Sequence, residues 1–97
     1  MDRILIVDDE FLIRYTLEEG LKDRGYDAYS AATVEEGLEF VRKYHPGVLL
    51  LDNLLENSVG MDEIVNFKNA DEELQVIMMT GVRFRLPAVE ANEARRI

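Results

Sequence analysis

Three apolar tetrads in this chain each run straight into a polar oxygen. Ile4-Leu5-Ile6-Val7 leads into Asp8 and Asp9, Val48-Leu49-Leu50-Leu51 into Asp52, and Val76-Ile77-Met78-Met79 into Thr80. Tetrads this short and this apolar read as strands buried on both faces, not as helices. Between them the period changes. From about Phe11 to Arg24, Ile13, Leu17 and Leu21 recur every four residues, with Glu18, Glu19, Lys22 and Asp23 opposite, which predicts an amphipathic helix. Gly25 stands where a C-terminal cap belongs, and Tyr26 to Ala31 alternates weakly as a second, outer strand. Thr33-Val34-Glu35-Glu36 has capping-box spacing, with Val34, Leu38 and Val41 as one stripe behind it. That helix ends by His45, because Pro46 disfavours helical geometry in the residue before it. Asn53 to Val59 is polar and loop-like, and Gly60 opens a third helical segment carrying Met61, Ile64, Val65 and Phe67. The polar run 69–73 then leads to the fourth strand at 76–79.

Strands alternating with helices of about ten residues imply βαβ units, hence an α/β fold with a parallel sheet and right-handed crossovers. All strands then point one way, and ligands bind at the edge formed by their C-terminal ends. This architecture collects Asp8, Asp9, Asp52 and Thr80 at one rim. Three carboxylates crowded together repel, and a hard divalent cation relieves that repulsion. Mg²⁺ takes oxygen ligands, often only one or two carboxylates, and keeps waters that a phosphate can displace. A metal beside a carboxylate favours phosphoryl transfer, with Asp52 as nucleophile and Thr80 hydrogen-bonding a phosphoryl oxygen.

Ninety-seven residues suit one domain. The chain has no cysteine, which removes disulfides, thiolate metal sites and a cysteine nucleophile, and fits a reducing cytosol. No apolar run approaches the ~20 residues of a membrane span, and the N-terminus has no signal-peptide layout. A net charge of −9 argues against direct nucleic-acid contact, which needs a basic face. Acids outnumber bases 18 to 7 in residues 1–80, whereas residues 81–97 hold 2 acids and 4 bases, so the character of the chain changes after Thr80. His45, beside a proline, reads as a surface residue, the four methionines as core filler, and the four tyrosines as scattered, with no stacking platform.

The ordered set ILIVDDE (4–10), VLLLD (48–52), Gly60 eight positions after Asp52, and VIMMTG (76–81) resembles the receiver domain of bacterial two-component response regulators. The gaps of 44 residues from Asp8 to Asp52 and 28 from Asp52 to Thr80 also fit, most closely the receivers of nitrogen-regulator-type transcription activators. The resemblance implies a flavodoxin-like (CheY-like) parallel sheet with helices on both faces, as a single receiver domain over residues 1–97, well matched over 2–81. It implies that Asp52 is the phosphoacceptor, that Asp8 and Asp9 bind Mg²⁺ with Asp9 the more direct ligand, and that the backbone carbonyl of Leu54 completes the metal site. It makes Thr80 the switch hydroxyl. The implied partners are a sensor histidine kinase as donor and an output domain or downstream regulator controlling transcription, all cytoplasmic. The chain would be a phosphoacceptor and not a turnover enzyme.

The sequence also departs from the pattern. Glu56 stands where the family usually has a proline. Ala88-Val89-Glu90-Ala91 resembles the start of the fourth helix, next to Pro87, but residues 82–97 are atypical. The fifth strand, its lysine and the fifth helix are missing, so the expected fold stops after the fourth strand and part of the fourth helix. Arg83 and Arg85 are the cations nearest the rim in sequence, and solvated side chains are their default. The Val76–Met79 strand would then be a sheet edge, favouring a homodimer or a domain-swapped assembly. Two other functions compete: a degenerate pseudo-receiver acting as an interaction or dimerisation module, and a Mg²⁺-dependent phosphohydrolase. The second is opposed by Leu54, which occupies the place where such enzymes carry a second acid.

Overall fold

In the computed structural model, residues 2–55 and 58–79 are described, and strand alternates with helix along them. The strands are β1 (Arg3–Val7), β2 (Asp27–Ala31), β3 (Val48–Asp52) and β4 (Gln75–Met79), and the helices are α1 (Phe11–Asp23), α2 (Val34–Tyr44) and α3 (Gly60–Ala70). All neighbouring strands pair in parallel in the order β2-β1-β3-β4. The chain therefore steps outward from β1 to β2, then crosses back to β3 on the other side. That reversal opens a crevice at the C-terminal ends of β1 and β3.

Local chemistry sets the element ends. Gly25 adopts φ +92, a left-handed conformation that glycine takes without a Cβ clash. With it, Tyr26 N–H donates to Leu21 O (3.1 Å) and Gly25 N–H to Lys22 O (3.0 Å), the paired bonds of a Schellman cap. At α2, Thr33 Oγ1 accepts from Glu36 N–H at 3.2 Å. Glu36 Oε1 accepts from Ala32 N–H (3.0 Å), one residue earlier than an ideal capping box requires. The Glu36 side chain thereby staples the strand exit as well as the helix start.

The sheet is covered on both faces. On one, Leu5, Val7, Leu49 and Leu51 pack with Val41, Phe67 and Leu74 into the core, and α2 and α3 lie over them. On the other, α1 packs over β1 and β2, and Ser30 Oγ donates to Glu18 Oε1 at 2.8 Å. β1 is buried from Ile4 to Val7, as its composition demands. β4 is not: Met79 is buried and Val76 and Met78 are half-buried, but Ile77 is 53 % exposed. Only one face of β4 meets the core cluster.

The third helix also corrects the sequence reading. Phe67 and Ile64 face the core, but Met61 and Val65 are exposed, because 61 and 65 fall on the outer side of the helical wheel. Met61 is thus no core filler, whereas Met79 is. The tyrosines are less scattered than expected. The rings of Tyr29 and Phe40 lie 5.0 Å apart, and those of Phe40 and Tyr44 4.7 Å apart, with Arg3 over Tyr44 at 5.6 Å. His45 is exposed and its Nδ1 lies 3.2 Å from Asp71 Oδ2, bracing the end of α2 against the end of α3. Among the described residues no helix is long and apolar enough to cross a membrane. Glu56, Thr80, Arg83, Arg85 and the anticipated fourth helix lie outside the described residues.

Candidate phosphoryl-acceptor site

Strand register brings the acids together. β1 and β3 pair with Val7 opposite Leu51, so Asp8 and Asp52 occupy equivalent positions one residue further on. Adjacent strands are about 4.8 Å apart, and equivalent positions present their side chains to the same face. Asp9 follows at the turn into α1. One carboxylate oxygen from each of Asp8, Asp9 and Asp52 lies within 4.8 Å of the other two. Asp8 and Asp52 are buried, at 1 % and 2 % exposure, and Asp9 is half-buried at the opening.

Backbone donors hold the cluster in place. Asp8 N–H donates to Ala31 O (3.2 Å) and Asp8 Oδ1 accepts from Glu10 N–H (2.8 Å). Asp52 Oδ1 accepts from Leu54 N–H at 3.1 Å. The N-terminus of α1 begins two residues after Asp9, and its positive dipole end favours nearby anions. Arg14, one turn into α1, reaches back so that Nη1 donates to the Asp8 carbonyl at 2.7 Å. Sequence reasoning missed Arg14. The available signal was a cation on the half-buried side of the first helix, close behind two acids.

Gly60 closes the other side. Its N–H donates to Asn53 O (2.9 Å), and a Cβ there would stand 2.3 Å from the Asp52 carbonyl oxygen. Only glycine lets the start of α3 press against the end of β3 this closely. Leu54 and Val59 form an antiparallel bridge across the intervening loop, and Leu55 N–H donates to Ser58 O (3.1 Å). Leu54 itself is 60 % exposed, and its N–H faces Asp52 Oδ1. An open cavity of ≈ 300 Å³ adjoins Asp9, lined also by Thr33, Glu35, Leu38, Leu55 and Ser58.

Three clustered carboxylate oxygens, two of them buried, form a donor set suited to a hard cation with oxygen ligands, and unsuited to soft metals that need sulfur or imidazole. The structure thus joins Asp8, Asp9 and Asp52, and places Leu54 two residues from the last of them. Thr80, one position beyond β4, is outside the described residues.

The family described as "Response regulator receiver domain" matches residues 4–95. The chain is 37 % identical over 80 residues to the sporulation initiation phosphotransferase F of Bacillus subtilis (strain 168), covering 82 % of this chain and 64 % of that protein. The chain thus spans less than two thirds of this curated relative. The fold superposes on the N-terminal domain of a response regulator receiver protein from Methanoculleus marisnigri JR1, with TM-score 0.78 and 30 % identity, covering 82 % and 67 % of the two chains. It also superposes on the beryllofluoride-activated NtrC4 receiver domain dimer, with TM-score 0.75 and 29 % identity, covering 80 % and 64 %.

Proposed function

The chain belongs to the response regulator receiver domain family, and from that premise we propose that it accepts a phosphoryl group on Asp52 from a histidine kinase. The observation that carries this reading is the buried Asp52 carboxylate beside Asp8 and Asp9, all within 4.8 Å at the sheet's switch point. Asp8, Asp9 and Asp52, with the carbonyl of Leu54, would hold Mg²⁺. When bound, the cation supplies positive charge beside the phosphoryl oxygens.

Asp52 is the nucleophile. Its carboxylate oxygen attacks phosphorus, and the P–N bond of the donor phosphohistidine breaks. The electron pair returns to the imidazole, which leaves neutral with its proton on the other ring nitrogen. The hydrogen bond from Leu54 N–H holds Oδ1 of Asp52 and so orients the carboxylate. Asp8 is anchored by Glu10 N–H and, through its carbonyl, by Arg14. Thr80 then serves as the switch hydroxyl that binds the new phosphoryl group. The domain is a cytoplasmic signalling module, with an output domain or downstream regulator controlling transcription as its reader and self-association through the β4 side. Ile77, 53 % exposed on that strand, supports the last point.

The test is treatment with acetyl phosphate and Mg²⁺ followed by intact mass spectrometry. Gain of one phosphoryl group by the wild-type chain, absent in Asp52→Ala, is expected. No gain under saturating donor overturns the reading and leaves the chain as an interaction module.

A further inference from the structure

The N-terminus of α3 lacks the usual local cap. Val59 holds the N-cap position with extended backbone (φ −97, ψ 127), but its side chain offers no acceptor and makes no cap bond. The first helical N–H groups still need partners. Asn53 supplies both, from six residues away. Its side-chain Oδ1 accepts from Met61 N–H at 3.0 Å and its carbonyl accepts from Gly60 N–H at 2.9 Å. Its own N–H makes a long 3.5 Å bond to Met79 O at the end of β4. One residue therefore joins β3, β4 and α3 at the rim.

That residue sits covalently between Asp52 and Leu54. The Leu54 N–H that donates to Asp52 Oδ1 (3.1 Å) belongs to the peptide unit that begins at Asn53. If the Asn53 side chain releases Met61, the first turn of α3 is tied to the end of β3 by the Gly60 bond and the Leu54–Val59 bridge, and can shift about them. The 53–54 peptide, whose carbonyl keeps its Gly60 bond, then moves with that turn, and the Leu54 N–H and carbonyl shift relative to Asp52. We infer that Asn53 is a positioning residue: its amide ties the phosphoacceptor end of β3 to α3 and so sets the geometry of the cation-binding cluster. The inference rests on the proposed reading of Asp52. Asn53 acts through its neighbours and touches no reacting atom.

The test uses the full chain and Mg²⁺ alone, with no phosphodonor. Amide chemical shifts are followed during Mg²⁺ titration, and exchange of the Met61 amide is measured separately. Asn53→Ala is expected to weaken Mg²⁺ binding about tenfold, as loss of a group that orients metal ligands does. Met61 N–H should exchange about fivefold faster, the effect of losing one cap. A double variant, Asn53→Ala with Val59→Ser, separates positioning from simple helix stability. The new hydroxyl sits at a residue already in N-cap geometry and satisfies α3 locally. Its urea midpoint should return to the wild-type value while Mg²⁺ binding stays about tenfold weak. The double variant also carries the test if Asn53→Ala alone does not fold. Mg²⁺ affinity within twofold of wild type in either variant overturns the role of Asn53. A wild-type chain that takes no Mg²⁺ overturns the reading of the site itself, and this inference with it.

Discussion

Adding one methyl group at Gly60 should unfold this domain more readily, whereas adding one at Gly20 should not. A Cβ on residue 60 would lie 2.3 Å from the carbonyl oxygen of Asp52 and 3.0 Å from both Asn53 Cα and the Asp52 carbonyl carbon. An ordinary contact is about 3.5 Å, so roughly an ångström of separation must be found. Every atom in the way is backbone of the strand end or of the residue that anchors α3, so no side chain can rotate aside. Forcing such a shift costs about 1–3 kcal/mol, occasionally more. Replacing glycine in a helix recovers at most about 1 kcal/mol, and less in the first turn. The net expectation for Gly60→Ala is a loss of about 2 kcal/mol, or a fall in Tm of about 8–16 °C for a domain of this size. Gly20, inside α1, has nothing within 4 Å of its would-be Cβ. Gly20→Ala should therefore gain up to about 1 kcal/mol. Urea denaturation followed by far-UV circular dichroism measures both against wild type. Equal stability of wild type and Gly60→Ala, within about 0.5 kcal/mol, would refute the claim that α3 is seated on the end of β3 by this close approach.

Phe67→Ala should cost about 3–5 kcal/mol, because the ring is fully buried among α2, α3 and the sheet. Val65→Ala on the same helix, 64 % exposed, should change the urea midpoint little, and equal losses at 65 and 67 would show the helix rotated from its described face. The pair of Asp71 and His45 sets an acid-side dependence. The Glu73 N–H first, and the His45 ring second, hold the Asp71 carboxyl below its ordinary value of 3.8. A lowered folded-state value means a contribution that is present above the unfolded value near 3.8 and is lost as pH falls through the folded one. Urea midpoints measured from pH 6 down to about 2.5 should therefore fall less steeply for Asp71→Asn than for wild type below about pH 4, and parallel curves would count against the pairing.

Apolar tetrads and helical periods were enough to read three strands, three helices and the parallel sheet, with β2 read from its weak alternation. β1 shows why, since burial on both faces leaves a strand little choice but a near-continuous apolar run, whereas β4 has a comparably apolar run and one exposed face. The resemblance carried by Asp8, Asp9, Asp52 and their spacing named the family. Individual faces were harder. Met61 and Val65 share the apolar character of Phe67, and nothing in a one-dimensional pattern says which of several apolar residues on one helix meets the sheet. Tyr29 lies eleven residues before Phe40 yet their rings meet at a tilt, since β2 and α2 run side by side, and Tyr44 joins them one turn further along α2.

What the chain's order alone determined is that acids would terminate strands sharing one direction, since polarity at strand ends follows directly from where the apolar runs stop. Which of their oxygens meet was decided in three dimensions, by the register that sets Val7 against Leu51 and brings Asp8 and Asp52 side by side. The supports of that cluster were decided there too. Arg14 reaching a backbone carbonyl and Asn53 capping a helix that starts seven residues later are contacts between groups with no periodic relation. Short-range patterning is written by solvent exposure, residue by residue, but hydrogen-bond partners across a loop exist only once the packing has chosen the distance between them.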